Sequence, residues 1–309
     1  MSGLLIKHKA GNDISINCFG EVLWDCFDTG KRIGGAPLNV CLRLNGLGIQ
    51  ANIISAVGDD KLGKELLQQI EVRNTNTDFI AVNANKKTST VEVKLDQSGS
   101  ASYEILADTA WDNIPLTVAL LEQVSSSDIF VFGSLVGRQQ VSLDTLRKLL
   151  KVANYKIFDV NLRKPHYNLK TLVEMMNKAD FIKLNDDELY EIAQGMGSEY
   201  NSLEQNLEFV ANQTNTQKIC VTKGSHGALL RFDDVNYYNS GYLVKVVDTV
   251  GAGDSFLASL IYQLCHTNNP QYAIDFACAV GAMVAQHKGA TPEISILEIQ
   301  QFMDPVKTT

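Results

Sequence analysis

The feature that most limits what this chain can fold into is an alternation of short β-rich apolar runs with helical patterns, kept up along most of its 309 residues. Residues 14–19, 53–57, 129–132, 157–160, 181–184 and 219–222 are strand-like, while 37–47 carries Leu38, Cys41, Leu42 and Leu44 at helical spacing and 62–70 is a second helix. Further helical patterns separate the later strands. Strands that alternate with helices build right-handed βαβ units, and therefore a mostly parallel sheet with both faces covered. Ligands of such folds collect at the carboxyl ends of the strands, so the informative loops are those that follow a strand. Two or three more short strands are expected, among 228–232, 235–239 and 242–246, and helices at 251–264, 270–286 and 294–302.

One region breaks the alternation. Residues 88–95 (TSTVEVKL) alternate polar and apolar side chains, 96–99 are turn formers, and 101–106 (ASYEIL) follow. The pattern is an antiparallel hairpin inserted into the α/β order. A small β flap of this kind can cover the strand ends and exclude water. Val91, Val93 and Leu95 share one face, which could pack on a second copy of the chain and make a homodimer through the lid.

Composition narrows the function. A formal net charge of -8 argues against nucleic-acid binding, which needs a basic face, but leaves room for an anionic small substrate held by a few local donors. The N-terminal MSGLLIKHKAGND lacks an apolar core of signal-peptide length, and the apolar stretch at 276–285 is far short of the ~20 residues that span a bilayer. Cys18, Cys26, Cys41, Cys220, Cys265 and Cys278 show no CxxC spacing and sit mostly in apolar runs, as reduced thiols of a cytoplasmic protein do.

The densest chemical signal is DTVGAGD, Asp248 to Asp254, at the start of an amphipathic helix. Gly251 and Gly253 leave backbone N–H groups accessible where the helix dipole is positive, which makes an anion site. Asp254, beside that nest, is placed to take a proton from a hydroxyl that attacks phosphorus. A second signal is GGAPLN, Gly34 to Asn39, with Pro37 suited to a first helical turn and paired glycines that admit a ligand close to backbone. Upstream, GEVLWD ends on Asp25. Asp25 and Asn39 together suit vicinal hydroxyls, since a carboxylate accepts while an amide accepts and donates.

GGAPLNVCLRLNGLG and DTVGAGDSF together resemble the two signatures of the ribokinase-like (PfkB) carbohydrate kinases, and GEVLWD followed by GGAPLN is most similar to the fructokinase branch. Other marks fall in order: VGDDKLG (57–63), DVNLR (159–163, with Val160 where proline is usual), KLNDDE (183–188), VTKGSHG (221–227) and KGATP (288–292). The resemblance implies a ribokinase-like three-layer α/β sandwich. It would be a single kinase domain over 1–309 with a β lid formed by about 24–34 and 87–107. It implies ATP-dependent phosphorylation of a sugar primary hydroxyl, first of all fructose to fructose 6-phosphate, with Mg²⁺. Asp254 would be the catalytic base and Gly251, Ala252 and Gly253 the anion hole. Asp25, Gly34, Gly35, Asn39 and Arg163 would face the sugar. Asn185, Thr222, Lys223, Gly224 and Gly227, with Gly253, would hold the nucleotide, and Glu188 would reach Mg²⁺ through water. Asp248 and Gly289 match the loops that hold a monovalent cation such as K⁺ in some members. The serine position of that pattern is Glu293 here.

Alternatives keep the chemistry and change the acceptor (2-keto-3-deoxygluconate, ribose or a nucleoside), or keep the fold and lose catalysis in a sugar-binding regulator. Two decoys are set aside. Gly58 to Glu65 nearly matches GxxxxGK[ST] but ends in Glu65, and Asp59 and Asp60 would repel a phosphate. The five histidines show no HxH or HExxH spacing for zinc.

Overall fold

The computed structural model describes residues 5–6, 13–27, 30–95 and 101–304. Its strands are β1 (Ser15–Phe19), β2 (Leu23–Phe27), β3 (Gly30–Gly34), β4 (Gln50–Gly58), β5 (Ile80–Asn83), β6 (Ser89–Leu95), β7 (Ala101–Ile105), β8 (Ile129–Gly133), β9 (Tyr155–Asp159), β10 (Phe181–Asn185), β11 (Lys218–Thr222), β12 (Ala228–Phe232) and β13 (Val235–Asn239). The helices are α1 (Ala36–Gly46), α2 (Lys61–Glu71), α3 (Val118–Ser126), α4 (Gln140–Leu149), α5 (Leu169–Met176), α6 (Asp186–Gly195), α7 (Leu203–Thr214), α8 (Ala252–His266), α9 (Pro270–Ala285) and α10 (Ile296–Met303).

A nine-stranded sheet runs in the order β13-β12-β11-β10-β9-β8-β1-β4-β5. It is parallel from β11 to β5, and β12 and β13 are added antiparallel at one edge. Its inner strands are near-continuous apolar runs, such as IFVFG in β8, because both faces are covered. On one face pack α1, α2, α8 and α9, through residues such as Leu38, Leu66, Leu260 and Ala277; on the other pack α3 to α7, through Val124, Leu146, Met176, Ile192 and Val210. Phe19, Phe130, Phe132 and Phe158 form a row across β1, β8 and β9 on that second face, with centroids 5.9, 6.0 and 5.0 Å apart. Chain order reverses beside β1, whose neighbours are β4 and β8. That switch point opens a crevice at the carboxyl ends of the strands, and it is where the candidate site lies.

A separate four-stranded sheet has the order β3-β2-β6-β7. The expected hairpin is its β6–β7 pair, and its turn at 96–99 lies outside the described residues. Asp25 is in register with Arg32 on one side and Val91 on the other, and Val91 with Ile105. Asp25, Val91 and Ile105 line the crevice, and Val91 is 3 % exposed. Val91 thus lies on the inward face of the small sheet and not on an outward apolar one. The side chains of Val93 and Leu95 lie outside the described residues.

Residues 242–246 do not form the expected strand. The large sheet ends at β13, and this segment runs along the surface with Leu243 and Val246 exposed. It is tied down where the Val247 N–H donates to the Ala285 carbonyl at the end of α9 (2.8 Å). The P-loop decoy is a helix start: Asp60 caps α2, accepting from the Gly63 N–H (2.8 Å) and from the Thr88 N–H (2.8 Å). No helix among the described residues is long and apolar enough to cross a membrane.

Candidate active site

The floor of the crevice is the first turn of α8. Gly251 precedes it with φ +74°, and a Cβ there would come within 2.4 Å of Ala290. Glycine is therefore required for the loop 248–251 to turn into the helix against the 288–292 loop. Ser255 N–H closes the turn on the Gly251 carbonyl (2.8 Å). Among the described residues the N–H groups of Gly251, Gly253 and Asp254 meet no acceptor, whereas Ala252 N–H donates to the Thr249 carbonyl (3.2 Å). The nest is therefore Gly251, Gly253 and Asp254. Ala252 turns its amide inward and does not line the crevice.

Asp254 projects from this turn into a cavity of about 440 Å³. Its Oδ2 accepts from Asn39 Nδ2 (2.8 Å), while Asn39 Oδ1 is buried without a partner. Burial, reinforced by the charge of Asp159, pushes the Asp254 carboxyl up to about 6, against the pull of Asn39, Lys183 and Arg163. Arg43 holds α1 to α8: its Nε donates to Ser255 Oγ (3.3 Å) and Nη2 to the Pro292 carbonyl (2.8 Å), which keeps Asn39 aligned with Asp254.

Opposite stand the acids of the first strand-loop. Glu21 is 4 % exposed, its Oε1 accepts from Ala36 N–H (3.2 Å), and its Oε2 has no partner. Burial above all pushes it up to about 7. Asp25 reaches about 6 through burial and the neighbouring Asp254 charge, with Arg163 opposing. Gly34 and Gly35 serve this geometry differently from the expectation. A Cβ on Gly34 would lie 2.2 Å from Asp25 Oδ2, and one on Gly35 (φ +114°) 2.3 Å from the Glu21 carbonyl. The pair admits the protein's own chain; Gly35 still lines the cavity and Gly34 does not. Arg163 lines it too, hydrogen-bonded only to the Leu162 carbonyl (3.0 Å) among the described residues.

On the far side, Asn185 and Glu188 form a reciprocal capping box at the start of α6. Asn185 Oδ1 accepts from Glu188 N–H (2.8 Å) and Glu188 Oε2 from Asn185 N–H (2.9 Å). Glu188 Oε1 takes the Leu162 N–H as well (2.7 Å), so this carboxylate ties the loop after β9 to β10. Thr222, at the end of β11, lines the cavity, whereas Lys223, Gly224 and Gly227 lie in the turn between β11 and β12 and do not.

Among the described residues no three Asp, Glu, His or Cys side chains converge to cage a metal. Asp159 Oδ2, buried and without a partner, and Glu188 fit a Mg²⁺ that keeps its waters and is held largely by phosphates. A monovalent cation fits less well at Asp248. Its Oδ1 accepts from Val250 N–H (3.0 Å), its Oδ2 from Gly289 N–H (3.0 Å), and Arg32 already stands 3.8 Å away.

Polar cavity residues that sequence reading did not assign are Glu21, Asn161, Lys183 and Thr249, with Asp159 behind Lys183. Each had a signal. Lys183 and Asp159 are charges within or ending apolar strands (FIKLN, YKIFD), where a buried charge needs a partner or a purpose. Glu21 directly follows the apolar β1.

The crevice thus brings the free amides at the start of α8 and the Asp254 carboxylate together with Glu21, Asp25 and Asn39. A fructokinase of Vibrio alginolyticus is 25 % identical over 272 residues, 83 % of this chain and 86 % of that one. A crystal structure of fructokinase from Vibrio cholerae O395 in fructose, ADP and calcium ion bound form superposes with TM-score 0.82 at 24 % identity, covering 95 % of this chain and 100 % of that one. An uncharacterized sugar kinase from Pyrococcus horikoshii, in complex with ATP, gives TM-score 0.78 at 26 % identity over 94 % and 100 % of the two chains. The family model for pfkB family carbohydrate kinases matches residues 6–296, and the chain is a sugar kinase belonging to that family.

Proposed function

We propose that the chain transfers the γ-phosphoryl group of ATP to the primary hydroxyl of fructose, giving fructose 6-phosphate and ADP. The observation that carries this reading is Asp254, at the crevice floor beside three amides that meet no acceptor among the described residues and held by Asn39 at 2.8 Å. The V. cholerae enzyme, crystallised with fructose and ADP, supports the choice of sugar and donor.

In this mechanism Asn39, Asp25 and Glu21 bind the sugar hydroxyls, and Arg163 stands at the donor–acceptor junction. Asp254 accepts the proton of the attacking hydroxyl as the new O–P bond forms and the bond to ADP breaks. The amides of Gly251 and Gly253 hold the charge on the migrating group, a stabilisation that is already in place before reaction. Asn185 and Thr222 bound the nucleotide side. Mg²⁺, when bound with ATP near Asp159 and Glu188, supplies positive charge to the phosphate oxygens.

The small sheet acts as a lid of a single kinase domain, its Val91–Ile105 row closing over the sugar so that water does not compete as nucleophile. β7 ends the strand order of the small sheet, and an edge strand there supports a homodimer through the lid, testable by light scattering. Six free cysteines suit a reducing, cytoplasmic setting.

The deciding experiment is Asp254→Asn in a coupled ADP-release assay over a panel of acceptors. Turnover of fructose is expected to dominate in the wild type. The variant is expected to lose at least ~10²-fold in kcat with little change in sugar affinity. Retained activity would remove Asp254 as the base.

A further inference from the structure

Lys183 is 6 % exposed, in the middle of the apolar strand β10, yet it lines the crevice. Its Nζ donates to Asp159 Oδ1 at 3.0 Å, across the register that pairs the two residues on neighbouring strands. An ammonium has three donors. Among the described residues the other two meet no acceptor, and Asp159 Oδ2 is also unpartnered. A Cβ built on Gly253 would come 3.4 Å from Nζ, so the ammonium stands against the backbone of the anion nest.

A purely structural ion pair explains these facts poorly. Burying two charges is at best near neutral for stability even when every lone pair and proton is satisfied, and here they are not. Burial opposes the charge on Lys183, but Asp159, Glu188 and Asp254 outweigh it and hold the ammonium protonated above its ordinary value. The ammonium carries spare donors beside the place where anionic oxygen is expected.

We propose that Lys183 is a catalytic residue that contacts the transferred phosphoryl group beside the Gly251 and Gly253 amides, with Asp159 as the positioning residue that aims it. The proposal rests on the kinase reading above and deepens it. The ammonium offsets the repulsion between the ionised Asp254 and the phosphoryl oxygens. That repulsion is greatest as the hydroxyl loses its proton, so the contact strengthens toward the transition state.

The test compares wild type with Lys183→Gln and with the double variant Lys183→Gln/Asp159→Asn, which removes both charges and leaves no buried unpaired ion. Readouts are kcat, the dissociation constants of ADP and sugar by calorimetry, inhibition by ADP with aluminium fluoride as a phosphoryl mimic, and melting temperature. Both variants are expected to lose at least ~10²-fold in kcat, with ADP and sugar affinities within about threefold of wild type. Affinity for the ADP–aluminium fluoride mimic should weaken in step with kcat. Should Lys183→Gln fail to fold, the double variant decides alone. Folded variants with kcat and mimic affinity close to wild type, whatever their melting temperature, would overturn the proposal. A wild type that phosphorylates no sugar would instead strike the kinase reading itself, an outcome visible before any variant is made.

Discussion

At the scale of single residues, the account turns on a carboxylate whose environment fits it for work near neutral pH. An ordinary aspartate is a weak base, but burial and the charge of Asp159 bring Asp254 to about 6. A base must be unprotonated to act, so kcat should rise with pH along a limb centred near 6, well above the ordinary aspartate value, and measuring kcat from pH 4.5 to 8.5 checks this. Removing the Lys183 charge, which favours ionised Asp254, should move that limb upward in Lys183→Gln. The same raised value is a stability statement. The folded chain binds the Asp254 proton more tightly than the unfolded chain, so the associated stability is present at low pH and is lost as pH rises through about 6. Asp254→Asn, which cannot ionise, should therefore be more stable than wild type by about 2–3 kcal/mol at pH 8, a gap that shrinks toward pH 5 in denaturant titrations.

At the scale of elements, the site is assembled from helix starts. The nest is the start of α8, Asn39 is in the first turn of α1, and the Asn185–Glu188 box opens α6. Gly251→Ala places a Cβ within 2.4 Å of Ala290 in a left-handed conformation. It should cost roughly 1–3 kcal/mol of stability and lower kcat by more than ~10-fold, checked by melting and by turnover. Asn185→Ala removes one cap of α6 and should cost about 1 kcal/mol, read from a denaturant midpoint. Helix starts were the most legible part of the sequence, because caps, glycines and prolines act locally: GGAPLN and DTVGAGD identify α1 and α8 by themselves. What could not be read were contacts made by distant segments. The Cβ-sized gap at Gly34 is filled by Asp25, the Ala252 amide is taken by Thr249, and Lys183 and Asp159 meet only because β9 and β10 pair in register. Residues 242–246 have strand composition and no strand, because the sheet ends at β13 and strand propensity without a neighbour makes no ladder.

At the scale of the whole molecule, the alternation of strand and helix was enough to point to the crevice, since a parallel sheet with a reversal beside β1 opens at its strand ends. The small sheet was legible from its own residues only as a hairpin at 88–106; that 24–34 joins it, as β2 and β3 do, was expected from the family resemblance and not from the local pattern. Crowding acids into that crevice has a global consequence. Glu21 at about 7, Asp25 at about 6 and Asp254 at about 6 are all raised chiefly by burial. Each favours the folded chain while protonated and loses that preference as pH rises through its folded value. The melting temperature of the ligand-free protein should therefore fall between pH 5 and pH 8, by calorimetry, and much of the slope should vanish in a Glu21→Gln/Asp254→Asn double variant.

The most direct measurement is a structure of the protein with fructose and a non-hydrolysable ATP analogue bound together. The account predicts the primary hydroxyl oxygen of the sugar within about 2.6–3.2 Å of an Asp254 carboxylate oxygen, and the γ-phosphoryl group against the Gly251 and Gly253 amides. A sugar seated with that hydroxyl beyond reach of Asp254, or a phosphoryl group held away from the start of α8, would contradict it.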